Sequence, residues 1–441
     1  MPQVLARLQA ESKLMRALDP AQRARRGYEL ALVAGLLVIA LLIRKAMLGH
    51  QDADYDWFLK PWYDFIESHG GMRALKHDFA DYNAPYLYIL AALTYVPIDP
   101  LNGIKLVSIV FDFVMAFTVY KILRLRFSSY ELPVIGALAV LFLPTVVLNS
   151  SMWGQCDVIF TTFSLLGLYY LLKERPWLAC IFFGVSYAFK QQAVFLFPLL
   201  FFALLAGRVK WRNLLAIPAV FILLDLPAIV LGADPDRLLL VYVRQTDTYD
   251  WLTAGAPTFF RFFSPNNSLG LARTFGIGLA AAAVLLMGLV VLHFKSRLSS
   301  DQLIALAATS AIAIPFFLPG MHERYFYLAD VVSLIAAFWL PRKLWFLPLL
   351  VQFASLMSYT PHITGTDAVP VIVPALVMFG GLVVATHSAL HELRVSTWRP
   401  AYPGAPGQQP KVALSESESE RPRRRAEGRS MPDKARTIRA G

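Results

Sequence analysis

Again and again the chain runs apolar for about as long as a bilayer is thick. A spanning helix needs about 20 such residues, with a range of roughly 17 to 25. The stretches that meet or approach this are Tyr28–Leu48, Leu101–Leu123, Glu131–Asn149, Cys156–Leu172, Trp177–Lys190, Gln191–Gly207, Asn213–Leu231, Gly270–Phe294, Gln302–Leu318, Tyr325–Leu340, Leu344–Thr360 and Pro370–Leu390. Charged residues make up 16% of the sequence and apolar ones 57%, where soluble domains average about 25% charged. The implied fold class is an all-α polytopic membrane protein, a bundle of about 12 transmembrane helices with a large first extracytoplasmic loop.

The run Pro85–Pro97 is apolar too, but as a helix it spans only about 20 Å at 1.5 Å per residue. It reads as a re-entrant or interfacial helix. Basic groups test this count. Lys13, Arg16, Arg23, Arg25 and Arg26 precede the first run, and further groups follow at Lys121, Lys173, Arg208, Lys295 and Arg342. With twelve crossings these all fall on the N-terminal side, as the bias of Lys and Arg toward the cytoplasm requires. The expected organisation is a cytoplasmic basic N-terminus (1–27), a transmembrane domain (28–390) and a cytoplasmic tail (391–441). The first run is long enough to serve as an anchor, and not a cleaved signal. The tail is rich in Pro, Gly, Ser, Glu and Arg, so disorder is expected there. Two long loops, 49–84 and 232–269, face the opposite side. The localisation implied is the plasma (inner) membrane, multi-pass, with both termini cytoplasmic. The net charge of +11 sits mainly at the two ends, which points to anionic lipid and not to nucleic acid. Cys156 and Cys180 lie in or beside apolar runs, so neither a disulfide nor a metal cluster is expected.

Unusual chemistry collects on the outer face. Asp52, Asp54 and Asp56 alternate, so in an extended segment they share one side. They fit a solvated acidic loop, a general base that takes a proton from an acceptor hydroxyl, or a divalent-metal site of the kind that accompanies a nucleotide-binding domain, which this chain lacks. Ser151-Met152-Trp153-Gly154-Gln155-Cys156-Asp157 opens an apolar run; Gln155 and Asp157 enter it, and an acid there is costly unless paired. Trp153 reads equally well as an interfacial anchor. Lys190-Gln191-Gln192 interrupts an apolar stretch. Lys190 is either a snorkelling lysine or a cation facing a lipid phosphate at a helix break. Met321-His322-Glu323-Arg324-Tyr325 packs ionisable groups into a short outer turn. Arg324 is there on the side that positive charge avoids, and guanidinium matches phosphate geometry. The loop 232–269 carries Tyr249 and Gly255-Ala256-Pro257-Thr258, a polar-aromatic composition suited to covering a sugar. Asp112, Asp225 and Asp330 fall within helices, as functional acids or as helix-to-helix hydrogen-bonding groups.

These residues together resemble the C-type glycosyltransferase superfamily (GT-C fold), and within it bacterial membrane mannosyltransferases. The resemblance rests on Asp54-Tyr55 through Pro61-Trp62-Tyr63, Gly70-Gly71, Asp81-Tyr82-Asn83-Ala84-Pro85, Trp153-Gly154-Gln155 with Asp157, Lys190-Gln191-Gln192-Ala193 and His322-Glu323-Arg324-Tyr325, in that order. It implies a polyprenyl-phosphate-linked sugar as donor, a glycan, lipid or protein acceptor, metal-free inverting transfer without a cofactor, and a first-loop Asp as general base. Asp54, eight residues before Trp62, holds the matching position, with Asp52 and Asp56 as alternatives. Lys190, His322 and Arg324 are the implied donor-phosphate cations. Trp62, Tyr82, Gln155, Asp157, Gln191, Glu323, Tyr325 and Tyr249 are the implied substrate contacts. The chain departs from the pattern at its extra acids, Asp52 and Asp56, and at Gly255 and Thr258, where Asn is expected. Two other classes use similar features: a transporter or flippase of lipid-linked or anionic substrates, and a glycan polymerase or ligase. The long acidic first loop fits neither as well as it fits a transferase.

Overall fold

The computed structural model describes residues 20–246, 251–263, 269–294 and 297–395. The basic segment before residue 20, Tyr249 and the tail beyond 395 lie outside the described residues. What is described is helical almost throughout. In chain order the helices that matter to the site are α1 (Pro20–Met47), α2 (Lys60–Ser68), α3 (Ala84–Leu93), α4 (Pro100–Leu123), α5 (Glu131–Leu141), α6 (Asp157–Leu172), α7 (Pro176–Phe189), α8 (Phe197–Leu205), α9 (Ala216–Val230), α10 (Leu269–Phe294), α11 (Ser300–Phe317), α12 (Tyr327–Trp339), α13 (Leu347–Thr364) and α14 (Ile372–Arg394). The fold class is that of an all-α polytopic membrane protein.

The crossings are less uniform than the apolar runs suggest. Among the described residues six helices are long and apolar enough to span, and a seventh if α5 and the Pro144–Trp153 segment, bent by 52°, count as one. The other apolar helices are shorter: α3, α6, α7, Gln191–Leu205 and α12. Hydropathy joins what backbone geometry separates. The run from Trp177 to Gly207 breaks at Lys190, which is extended (φ −158°, ψ 137°) between α7 and a 3₁₀ turn, Gln191–Leu196. The short α3 agrees with the interfacial reading of Pro85–Pro97.

Buried polar groups fasten the helices to one another. Arg44 of α1 pairs with Asp112 of α4 at 2.8 Å, both fully buried, and Ser150 donates to the same carboxylate at 2.6 Å. Removing one partner of such a pair costs about 3–5 kcal/mol. Lys105 of α4 donates to the carbonyls of Met47, Leu48 and His50. It thereby satisfies the orphan carbonyls at the end of α1 and fixes where the first loop begins. Tyr88 of α3 inserts its hydroxyl into α9 at Pro227: it donates to Leu224 O and accepts from Ala228 N. The core is the packed interior of α4, α6, α7, α11, α12 and α13, filled by Leu, Ile, Ala and Phe.

Candidate active site

The first loop is helical where alternation suggested an extended strand. A π-turn, Tyr55–Leu59, leads into α2, with Asp54 at its N-cap. Helical rotation sends the three acids in different directions. Asp56 is exposed and bonded to Gln51. Asp52 caps the turn by accepting from Tyr55 N at 3.0 Å and meets His362 at 3.5 Å. Asp54 alone enters the constellation. Its Oδ2 accepts from Trp153 Nε1 at 3.0 Å and Gln155 Nε2 at 2.6 Å, and lies 3.4 Å from Arg324. Asp54 is partly exposed and lines the cavity described below.

Trp153 and Gln155 are placed by a second break. The π-turn Leu148–Trp153 ends at Gly154 in the left-handed region (φ 77°), its Cα side packed on Lys105. A side chain there would be strained by the backbone and crowded by the lysine stem. Gln155 N donates to Asn149 O, and Gln155 O accepts from Ser108 of α4 at 2.8 Å. The turn therefore hangs from the same helix that carries Asp112.

Asp157, at the head of α6, is buried and does not reach the cavity surface. Its contacts are with the cations. It pairs with Lys190, accepts from Asn149 Nδ2 at 2.8 Å and lies 3.8 Å from Arg324. Lys190 lies over the rings of Tyr82 and Tyr325. Arg324 also pairs with Glu323 at 3.0 Å and lies over Trp153 at 5.3 Å. Two cations and three acids thus share one buried cluster.

His322 does not join as a cation. Burial, then the positive charge of Arg324, pushes its pKa down to about 3, so the ring is neutral. Burial pushes the Glu323 carboxyl up, against the pull of Arg324. The turn that carries these residues is clasped by the second long loop. Strand β1 (Thr253–Ala254) pairs in parallel with β2 (Met321–His322), and Glu323 N donates to Ala254 O at 2.9 Å. Gly255 follows with φ 88°, where a Cβ would stand 3.1 Å from Glu323. That close approach, together with the positive φ, accounts for glycine at this position.

The cavity enclosed by these elements has a volume of about 910 Å³. Asp54, Trp62, Tyr82, Gln155, Lys190, Gln191, His322, Glu323, Arg324 and Tyr325 all line it, with Trp62 against Tyr82 at 5.3 Å between ring centres. Asp112, Asp225 and Asp330 are buried away from it. Residues that sequence reasoning left out also line it, among them Trp57, Gln245, Arg273 and His362. His362 stacks on Trp153 at 4.0 Å; its only sequence signal was a place near the outer end of an apolar run. Trp153 was legible as part of the Trp153-Gly154-Gln155 motif and as an anchor, but not as a hydrogen-bond donor to Asp54. At one end, apolar Phe189, Val194, Phe195 and Ile277 border the cations.

Residues 85–231, a third of the chain, match the family model described as dolichyl-phosphate-mannose-protein mannosyltransferase. The matched segment holds Trp153, Gln155, Asp157 and Lys190, while Asp54 and Arg324 lie outside it. No curated protein matches the chain. The family match and the multi-span helical fold support a membrane glycosyltransferase of the GT-C type, similar to the mannosyltransferases that the family describes.

Proposed function

We propose that the protein transfers a hexose, mannose-like, from a polyprenyl-phosphate donor to an extracytoplasmic glycan, lipid or protein acceptor, with inversion. The observation that carries this reading is the disposition of Asp54: one oxygen is held by Trp153, Gln155 and Arg324, and the residue lines a cavity that Lys190 also lines. A carboxylate fixed in this way has the geometry of a general base. Asp54 Oδ1 takes the proton of the acceptor hydroxyl as its oxygen attacks the anomeric carbon. The bond from that carbon to the phosphate oxygen breaks, and the lipid phosphate leaves with the electron pair. Negative charge develops on the leaving oxygen, and Lys190 and Arg324, fixed in a water-poor site, are the groups that stabilise it. The apolar wall beside them suits the prenyl chain.

The donor phosphate must compete with Asp157 and Glu323 for these cations, so its arrival rearranges the ion pairs of Arg324. Full-length enzyme in detergent, given polyprenyl-phosphate-[³H]mannose and a mannoside acceptor, tests the assignment. Asp54→Asn is expected to abolish transfer while donor binding persists. Transfer retained by Asp54→Asn rules out Asp54 as the base. Wild-type protein that binds the donor but transports it without covalent transfer overturns the transferase reading.

A further inference from the structure

The reading above leaves the class of acceptor open, and the rim beside Asp54 bears on it. Trp57 lines the cavity and is 76% exposed. Asp54, three residues before it, lines the same cavity. The loop around Trp57 carries exposed polar groups. Asp56 is bonded to Gln51, and Lys60 pairs with Asp64 at 2.6 Å, all of them exposed. A tryptophan that anchors a protein in the bilayer interface sits beside a lipid-facing apolar surface. Here the exposed residues of the same loop include Gln51, Asp56, Lys60 and Asp64. Trp251, 55% exposed, also lines the cavity.

A ligand suited to this rim has one flat apolar face and an edge of hydroxyls. A pyranose ring fits: its axial C–H bonds carry partial positive charge and pack on the electron-rich face of an indole, while its hydroxyls bond to planar carboxylates and amides. A simple lipid alcohol lacks the hydroxyl edge, and a serine side chain lacks the flat face. We infer that Trp57 is the stacking platform of an acceptor subsite, and that the acceptor is a carbohydrate whose pyranose ring lies on the indole and presents a hydroxyl to Asp54 Oδ1. This inference rests on the proposed transfer reaction for its direction, and on Trp57 alone for its chemistry.

The test has a binding arm and a kinetic arm. In the first, full-length Asp54→Asn protein in detergent is mixed with an α-linked mannose disaccharide and read by saturation-transfer NMR. Ring-proton signals are expected with Asp54→Asn, retained in Asp54→Asn/Trp57→Phe and lost in Asp54→Asn/Trp57→Ala. No signal with the first protein, or an undiminished one with the last, overturns the inference. In the second arm, Trp57→Ala is expected to raise the acceptor KM about tenfold, the range of one aromatic contact, and to move the donor KM far less. An unchanged acceptor KM overturns the inference, as does faster transfer to a serine peptide or a fatty alcohol than to the disaccharide. If the binding signals behave as expected and no transfer occurs from any donor, the subsite stands and the transferase reading falls.

Discussion

Replacing Arg324 by lysine keeps the charge and removes the fork. The guanidinium meets Glu323 at 3.0 Å, Asp54 at 3.4 Å and Asp157 at 3.8 Å, and lies over the rings of Trp153 and Tyr325. A lysine ammonium is a point charge on a flexible stem and holds one of these acids at a time. Lys190 already covers Asp157, so the new lysine can hold the buried Glu323 while the partly exposed Asp54 keeps Trp153 and Gln155, and the fold survives. What is lost is the fixed link between the proposed base and the charge that meets the leaving phosphate. Removing one oriented group of this kind costs about 10²–10³ in rate, or ~2.7–4 kcal/mol. The expectation for Arg324→Lys is a fall of about 100-fold in kcat at saturating donor, with a melting temperature in detergent within about 4 °C of wild type. Transfer of radiolabelled mannose from the lipid donor, with unfolding followed on the same preparation, measures both. Turnover within about threefold of wild type would refute the reasoning, because a single mobile charge would then do all that the fork does.

Trp153→Phe keeps the stack on His362 and the contact with Tyr359 but deletes the N–H that holds Asp54; turnover should fall by about 10- to 100-fold, the worth of a charged hydrogen bond. Asp56→Asn alters an exposed group bonded only to Gln51 among the described contacts, and its activity should stay within about threefold of wild type. Asp52→Asn weakens the cap of the π-turn and the contact with His362, at a cost to stability of about 1 kcal/mol in a denaturant titration. His322 gives a pH signature. Its pKa is about 3 in the folded protein and about 6.5 unfolded. Between these values the unfolded chain binds a proton that the folded chain does not. The contribution is whole above pH 6.5 and is lost at about 1.4 kcal/mol per pH unit below it. His322→Gln should therefore lose less stability than wild type between pH 6.5 and 5; equal acid sensitivity in thermal melts would show that the ring is charged when folded.

Much of this site announces itself in the sequence because its residues are costly where they stand. Lys190 in an apolar run, Asp157 at the mouth of another and Arg324 in a short turn between two more each require a partner, and a reader can infer that partners exist. Which partners they are is a property of three-dimensional approach: Lys190 meets Asp157 across a break, and Arg44 meets Asp112 across two helices, with no spacing in the chain to signal either. The three acids of the first loop show the other limit. Alternation suggests one shared face only if the segment is extended. It is helical, so Asp54 turns inward while Asp56 turns to solvent. The break at Lys190 was legible, because a lysine and two glutamines interrupt the apolar stretch there. The depressed pKa of His322 has no signal in the sequence, because it comes from burial and from Arg324, and neither follows from composition.

The two-residue clasp between β1 and β2 couples parts that the chain keeps far apart. Neighbouring strand residues point to opposite sides, so sliding one partner by a single residue would turn His322 and Glu323 away from their present neighbours. The second long loop is thus the outer wall of the cation turn, and its register sets where Arg324 stands. A graft of this loop from another enzyme can change every side chain that covers the cavity, but it must deliver two extended residues and a glycine in phase. A loop lengthened or shortened between the clasp and α10 leaves that phase intact, whereas one residue inserted between Leu252 and Gly255 shifts the chemistry itself.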